Sequence, residues 1–177
     1  MNNERKWILR GGRVLNPAPF CLIGIVNVTP DSFSDGGKYI DPCNAVAHGI
    51  RLLDEGAGML DLGAESTRPF AEPVPEGEEI ARLMPVVARL REQRPDAVLS
   101  VDTLKAGTAR AALEGGADII NDVSACEADP ALLDVLAEYK PGYVLMHSQG
   151  SPREMQVNPR YGNVVEEILA FFEEHLA

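Results

Sequence analysis

Asn27, Asp31, Ser34 and Asp35 are four of the oxygen-bearing side chains in one glycine-hinged stretch, IVNVTPDSFSDGG (25 to 37). Amide, hydroxyl and carboxylate oxygens, with no sulfur or imidazole among them, suit Mg²⁺. That ion meets a protein through few ligands, retains waters and completes its shell from substrate phosphates. Asn27 closes an apolar run, which makes it the fixed donor, with the other three on the loop beyond. The same residues have a plainer use, because TPDS and SDGG are ordinary turn sequences in which Asp and Gly supply local hydrogen bonds and positive φ. A second polar stretch, ESTRP (65 to 69), carries Arg68, whose planar guanidinium fork fits an oxyanion. Asp102, Asn121 and His147 stand near the ends of further apolar runs. An Asp there either caps the next helix or reaches a ligand, and an Asn either satisfies loop backbone or does the same. His147 has no second ligand near it in sequence, so a structural use is expected. Asp61 and Glu65 are expected to organise the second polar stretch, as carboxylates whose titration merits inspection.

These groups work together only if the chain carries every run-end to one place. FCLIGIVNV (20 to 28) reads as a buried strand, and the Gly, Asp, Ser and Pro of residues 29 to 42 demand a loop. Apolar residues at helical spacing follow from Asn44 to Gly56, where glycine supplies a stop. The pattern then repeats. Strand and loop at 59 to 73 lead to an acidic-started helix from Glu76 to Arg94, and 97 to 103 lead to a helix from Lys105 to Glu114. Residues 117 to 125 lead to a helix from Pro130 to Tyr139, and 142 to 150 to a helix from Asn163 to Leu176. Trp7 to Leu15 precedes these units as a hairpin suited to plugging a barrel floor. Nearly all-apolar strands alternating with helices indicate a parallel sheet covered by helices. Polar residues at strand carboxyl ends favour a TIM (β/α)8-type barrel, α/β in class, over a doubly wound sheet, and no glycine-rich phosphate fingerprint follows the first strand.

With 177 residues, 45% hydrophobic and 24% charged, a single domain over 1–177 with one core is expected. A formal net charge of −11, with 16 Lys+Arg scattered along the chain, argues against nucleic acid or an anionic membrane as partner. Cys21, Cys43 and Cys126 form no CxxC pair, which suits reduced thiols and a cytoplasmic location. No stretch approaches the roughly 18 apolar residues of a membrane span, and the first residues lack a signal-peptide core.

GIVNVTPDSFSDGGKY, DLGAESTRP, SVDTLKAGTARAAL, IINDVSA and LMHSQGSPREMQ, in that order, resemble the signature segments of dihydropteroate synthase, a pterin-binding family, from about Phe20 onward. The methyltransferase domain that handles methyltetrahydrofolate shares the barrel but is not expected to carry NVTPDSFSDGG. The resemblance implies a transferase of folate synthesis. It condenses 6-hydroxymethyl-7,8-dihydropterin pyrophosphate with p-aminobenzoate, releases pyrophosphate, and is a sulfonamide target. It further implies that Asn27 holds the Mg²⁺, with Asp31, Ser34 and Asp35 closing over the pyrophosphate and Arg68 contacting an oxyanion. Thr67 and Pro69 then border the p-aminobenzoate and pterin sites. Asp102 and Asn121 reach the hydrogen-bonding edge of the pterin, and Asp122, Val123 and Met146 are candidates for its pocket wall.

Departures accompany the resemblance. Phe70 stands where the family has the glycine of STRPG, putting a side chain where backbone freedom is expected. Leu104 and Ala125 replace residues more often Tyr and Gly. Only five units are countable against the about 250 residues of a complete barrel. A DPGIGFGK-like loop, a serine-rich lysine loop and a terminal Arg/His pair are not in this sequence. The chain alone is therefore expected to show negligible turnover, whether as a piece of a longer enzyme or as a non-catalytic pterin and pyrophosphate-Mg²⁺ binding module. Strand edges left open imply a homodimer or an oligomer with exchanged elements.

Overall fold

The computed structural model describes residues 6–29, 41–65, 73–150 and 158–176. A short antiparallel hairpin, β1 (Trp7–Ile8) and β2 (Val14–Leu15), comes first. Five parallel strands follow: β3 (Ile23–Asn27), β4 (Met59–Gly63), β5 (Leu99–Asp102), β6 (Ile119–Asp122) and β7 (Gly142–Leu145). They pair in chain order, β3-β4-β5-β6-β7. The connecting and closing helices are α1 (Pro42–Asp54), α2 (Glu76–Gln93), α3 (Ala106–Glu114), α4 (Leu132–Tyr139) and α5 (Val164–His175). The five strand-helix units expected from the sequence are all present, and the sheet is part of a barrel.

Helix boundaries follow local chemistry. Asp41 accepts from the Cys43 amide at 2.9 Å and Pro42 opens the helix, so α1 begins two residues before the expected Asn44. Gly56, at φ +109, ends that segment in a conformation other residues resist. Asn163 caps α5 by accepting from Val165 and Glu166.

Strand alternation divides the sheet into two faces. Val26, Leu62, Val101 and Ile120 are successive register partners, and all four are fully buried. They share the main core with Leu83, Val87 and Leu90 of α2 and Leu113 of α3. Each contributes about 1.5–3 kcal/mol relative to an exposed side chain. The opposite face carries Asn27, Gly63, Asp102 and Asn121 in one register row, and Ile25, Asp61, Ser100 and Ile119 in the row two residues lower.

The hairpin plugs the amino-terminal end of the sheet, as expected. Leu9 packs with Met59, Val98 and Ile119 in a separate small core. Gly142 is required there, since a Cβ at that position would lie 2.7 Å from Leu9 Cδ2 and 2.9 Å from Ile119 Cγ1. Asp118 locks the plug in place. It accepts from Arg13 Nη1 at 3.0 Å, from Arg91 Nη2 at 3.0 Å and from the Leu99 amide at 2.9 Å.

Candidate functional site

Register brings together residues far apart in sequence. Asn27 pairs with Gly63, Gly63 with Asp102, and Asp102 with Asn121, so a single row crosses four strands at their carboxyl ends. Val123 and Met146 lie half-buried just beyond β6 and β7 at the same end. Thr67, Arg68 and Pro69, like Asp31, Ser34, Asp35 and Phe70, lie outside the described residues.

Asp102 is not the cap of α3, although its position allowed that role. Thr103 Oγ1 accepts from the Lys105 amide at 3.2 Å, Asp129 from Ala106 at 2.8 Å and Glu76 from Gly107 at 2.8 Å. Three other side chains thus satisfy the first turn of the helix. The Asp102 carboxylate lies beside Gly63, where an added Cβ would come within 3.6 Å of Oδ2. Burial, followed by the charge of Asp61 and more weakly Glu79, Asp122 and Glu65, raises its pKa to about 7.

Asp61 is engaged by its neighbours on the sheet. Ser100 Oγ donates to Oδ1 at 2.6 Å and Asn121 Nδ2 donates to Oδ2 at 2.9 Å. Its expected relation to residues 66 to 72 lies outside the described residues. Glu65 is tied down by Lys105, whose Nζ also reaches the buried Glu79 at 2.7 Å. Burial pushes the Lys105 ammonium down, but the two carboxylates outweigh it and hold the pKa above the ordinary lysine value. The start of the second polar stretch is thereby fixed to α2 and α3.

Asp122, a candidate for the pocket wall, serves the fold instead. It is fully buried on the helix side of β6 and accepts from Ser124 N and Oγ at 2.7 Å, from Cys126 N at 2.6 Å and from Tyr143 Oη at 2.9 Å. This cluster holds a turn in which Ala125 sits at φ +54 and Cys126 at φ +63. Glycine takes that left-handed backbone freely, whereas Ala125 adopts it at a cost of about 1 kcal/mol. His147 packs edge-on against Phe171, with ring centroids 4.9 Å apart, and 5.9 Å from Tyr161, which is a packing role.

Sequence reasoning missed Ser100 and Gly63. Strand alternation carried the signal: Asp61 and Ser100 stand two residues before Gly63 and Asp102, on the same face.

The Asn27 side chain is exposed and has no hydrogen-bond partner among the described residues. Among those residues no group of three or more His, Cys, Asp or Glu could hold a metal alone. An exposed amide oxygen at the rim suits a cation that takes few protein ligands, and the arrangement can present donors and acceptors to a planar polar molecule.

A parallel strand-helix barrel segment with polar side chains at the carboxyl rim is the arrangement of barrel enzymes, which build their sites there. The chain belongs to the pterin binding enzyme family, whose model matches residues 23–177. The dihydropteroate synthase of Mycobacterium leprae is 46% identical over 154 residues, covering 86% of this chain and 54% of that protein. A crystal structure of Yersinia pestis dihydropteroate synthase with a sulfonamide drug complex superposes with a TM-score of 0.84 at 40% identity, covering 97% of this chain and 61% of that one. The Xanthomonas albilineans dihydropteroate synthase with 4-aminobenzoic acid gives 0.80 at 45% identity, covering 96% and 60%. The chain thus spans about half the length of the curated relatives it matches.

Proposed function

We propose that the protein to which this chain contributes is a dihydropteroate synthase, and that the chain supplies the pterin edge and diphosphate-facing loops of its site. The substrates are 6-hydroxymethyl-7,8-dihydropterin pyrophosphate and p-aminobenzoate. The methylene C–O bond breaks with its electron pair leaving on pyrophosphate, the aryl amine nitrogen forms the new C–N bond, and that nitrogen loses a proton. Charge separation dominates this reaction, so preorganised groups matter more than proton transfer.

What supports the reading is one observation: a single register row carries Asn27, Asp102 and Asn121 to the same rim. In this reading Asp102 and Asn121 bind the pterin, with Val123 and Met146 as neighbouring wall. Asp102 is a carboxyl poised near neutrality and, once ionised, favours developing positive charge on the ring. Thr67, Arg68 and Pro69 border the p-aminobenzoate and pyrophosphate positions, and Asp31, Ser34 and Asp35 close over the diphosphate. Asn27 holds Mg²⁺, whose chemistry when bound is to neutralise the departing pyrophosphate.

Calorimetric titration with Mg²⁺ and pyrophosphate tests the assignment. Wild type should give a binding heat that Asn27→Ala reduces about tenfold or more in affinity. Equal isotherms from the two proteins would remove Asn27 from the metal site.

We also propose that the exposed edge at β3 is covered in solution by a second copy or by exchanged elements. The setting is cytoplasmic. No described helix is long and apolar enough to cross a membrane.

A further inference from the structure

Asp61 lies one layer beneath the rim, on the same face of the sheet as Asp102 and Asn121. Both of its oxygens are occupied. Ser100, itself fully buried, donates to Oδ1 at 2.6 Å, and Asn121 Nδ2 donates to Oδ2 at 2.9 Å. An ionised carboxylate only accepts, whereas an amide can turn over to present either its oxygen or its nitrogen. With Asp61 in place one orientation survives. The nitrogen of Asn121 must face the carboxylate, and Oδ1, which has no partner among the described residues, is left as an acceptor.

We propose that Asp61 is a positioning and specificity-determining residue: it locks the Asn121 amide so that the site accepts a heterocycle bearing an N–H there and rejects one bearing an acceptor. This rests on the pterin reading above and deepens it by assigning the polarity of the recognised edge. Asp61 itself touches no ligand in this account and acts through Asn121. Its charge also reaches Asp102, where it is the largest influence after burial. The two groups that read the edge are therefore governed by the same half-buried carboxylate. A ligand with the wrong polarity leaves two acceptors facing each other, a mismatch worth roughly tenfold or more in affinity.

The test compares 7,8-dihydropterin with two near-isosteres. 7,8-Dihydrolumazine replaces the 2-amino donor with oxygen, and fully oxidised pterin lacks the N8 hydrogen. Wild type should bind 7,8-dihydropterin and reject at least one comparator by roughly tenfold or more. In Asp61→Ala that ratio should fall towards one, and Asp61→Asn, which keeps one acceptor oxygen, should restore much of it. A merely structural Asp61 would weaken all three ligands equally and leave the ratio intact, which would overturn the proposal, as would a wild type that binds all three alike.

A ligand-free readout separates this inference from the reading beneath it. The two side-chain amide protons of Asn121 should be widely dispersed in the nitrogen-proton NMR spectrum of wild type and converge in Asp61→Ala. An unchanged pair would reject the lock even if pterin binds. Binding of none of the three ligands by wild type would instead reject the pterin reading, with the amide measurement still standing. Should Asp61→Ala fail to fold, Ser100→Ala removes one anchor and carries the same expectations at smaller amplitude. An unchanged ratio and amide pair in that variant would also overturn the assignment.

Discussion

Asp102 illustrates how a single residue can be named from sequence while its chemistry stays hidden. Its place at the end of an apolar run left capping and ligand contact equally open. The choice required knowing that Thr103, Asp129 and Glu76 satisfy the helix that Asp102 precedes, two of them from distant parts of the chain. Its titration has a consequence for stability. The folded pKa of about 7 lies above the ordinary carboxylate value of 3.8, so the native state holds this proton more tightly than the unfolded chain. Destabilisation by this group is absent below about pH 4, grows as pH rises, and is complete above about pH 7. Asp102→Asn should therefore be more stable than wild type at pH 8, by about 2–4 kcal/mol, with the gain vanishing towards pH 4. Urea unfolding at pH 4, 6 and 8 measures it, and a gain independent of pH would contradict the assigned cause. Asp122 went the other way. The resemblance made it a candidate for the pocket wall, but alternation turned it towards the helices, where its carboxylate holds the 123–126 turn.

At the level of elements, most of the architecture was legible. Apolar strands and 3.6-residue periodicity gave each strand-helix unit, because those patterns report burial directly. What they do not report is contact between distant segments. Asp118 looks like the start of an unremarkable strand, yet it joins Arg13 of the hairpin, Arg91 of α2 and the Leu99 amide of β5. Removing the carboxylate leaves two guanidinium groups without their common partner, so Asp118→Ala should lower unfolding free energy by about 3 kcal/mol. Denaturant titration reads that loss. Because the cluster sits at the amino-terminal end of the strands, pyrophosphate binding by the folded variant should remain as in wild type.

At the scale of the whole sheet, β3 and β7 are the outer strands among the described residues. Ile23 and Ile25, on the same side of β3 as Asn27, are 53% and 62% exposed, and Phe20 and Leu22 beside them are exposed as well. An apolar outer strand invites pairing. Multi-angle light scattering over a range of concentrations should accordingly show a dimer or a larger assembly at the higher values. A monomer at every concentration would count against the proposed self-association.

The row from Asn27 to Asn121 has one more implication. Its members are contributed by separate turns of the chain and acquire a common geometry only when successive strands settle in the correct alignment. No excised peptide can reproduce such a recognition surface. Any compound that engages it should tighten the entire sheet at once, so that deuterium uptake slows even in the hairpin at the opposite pole.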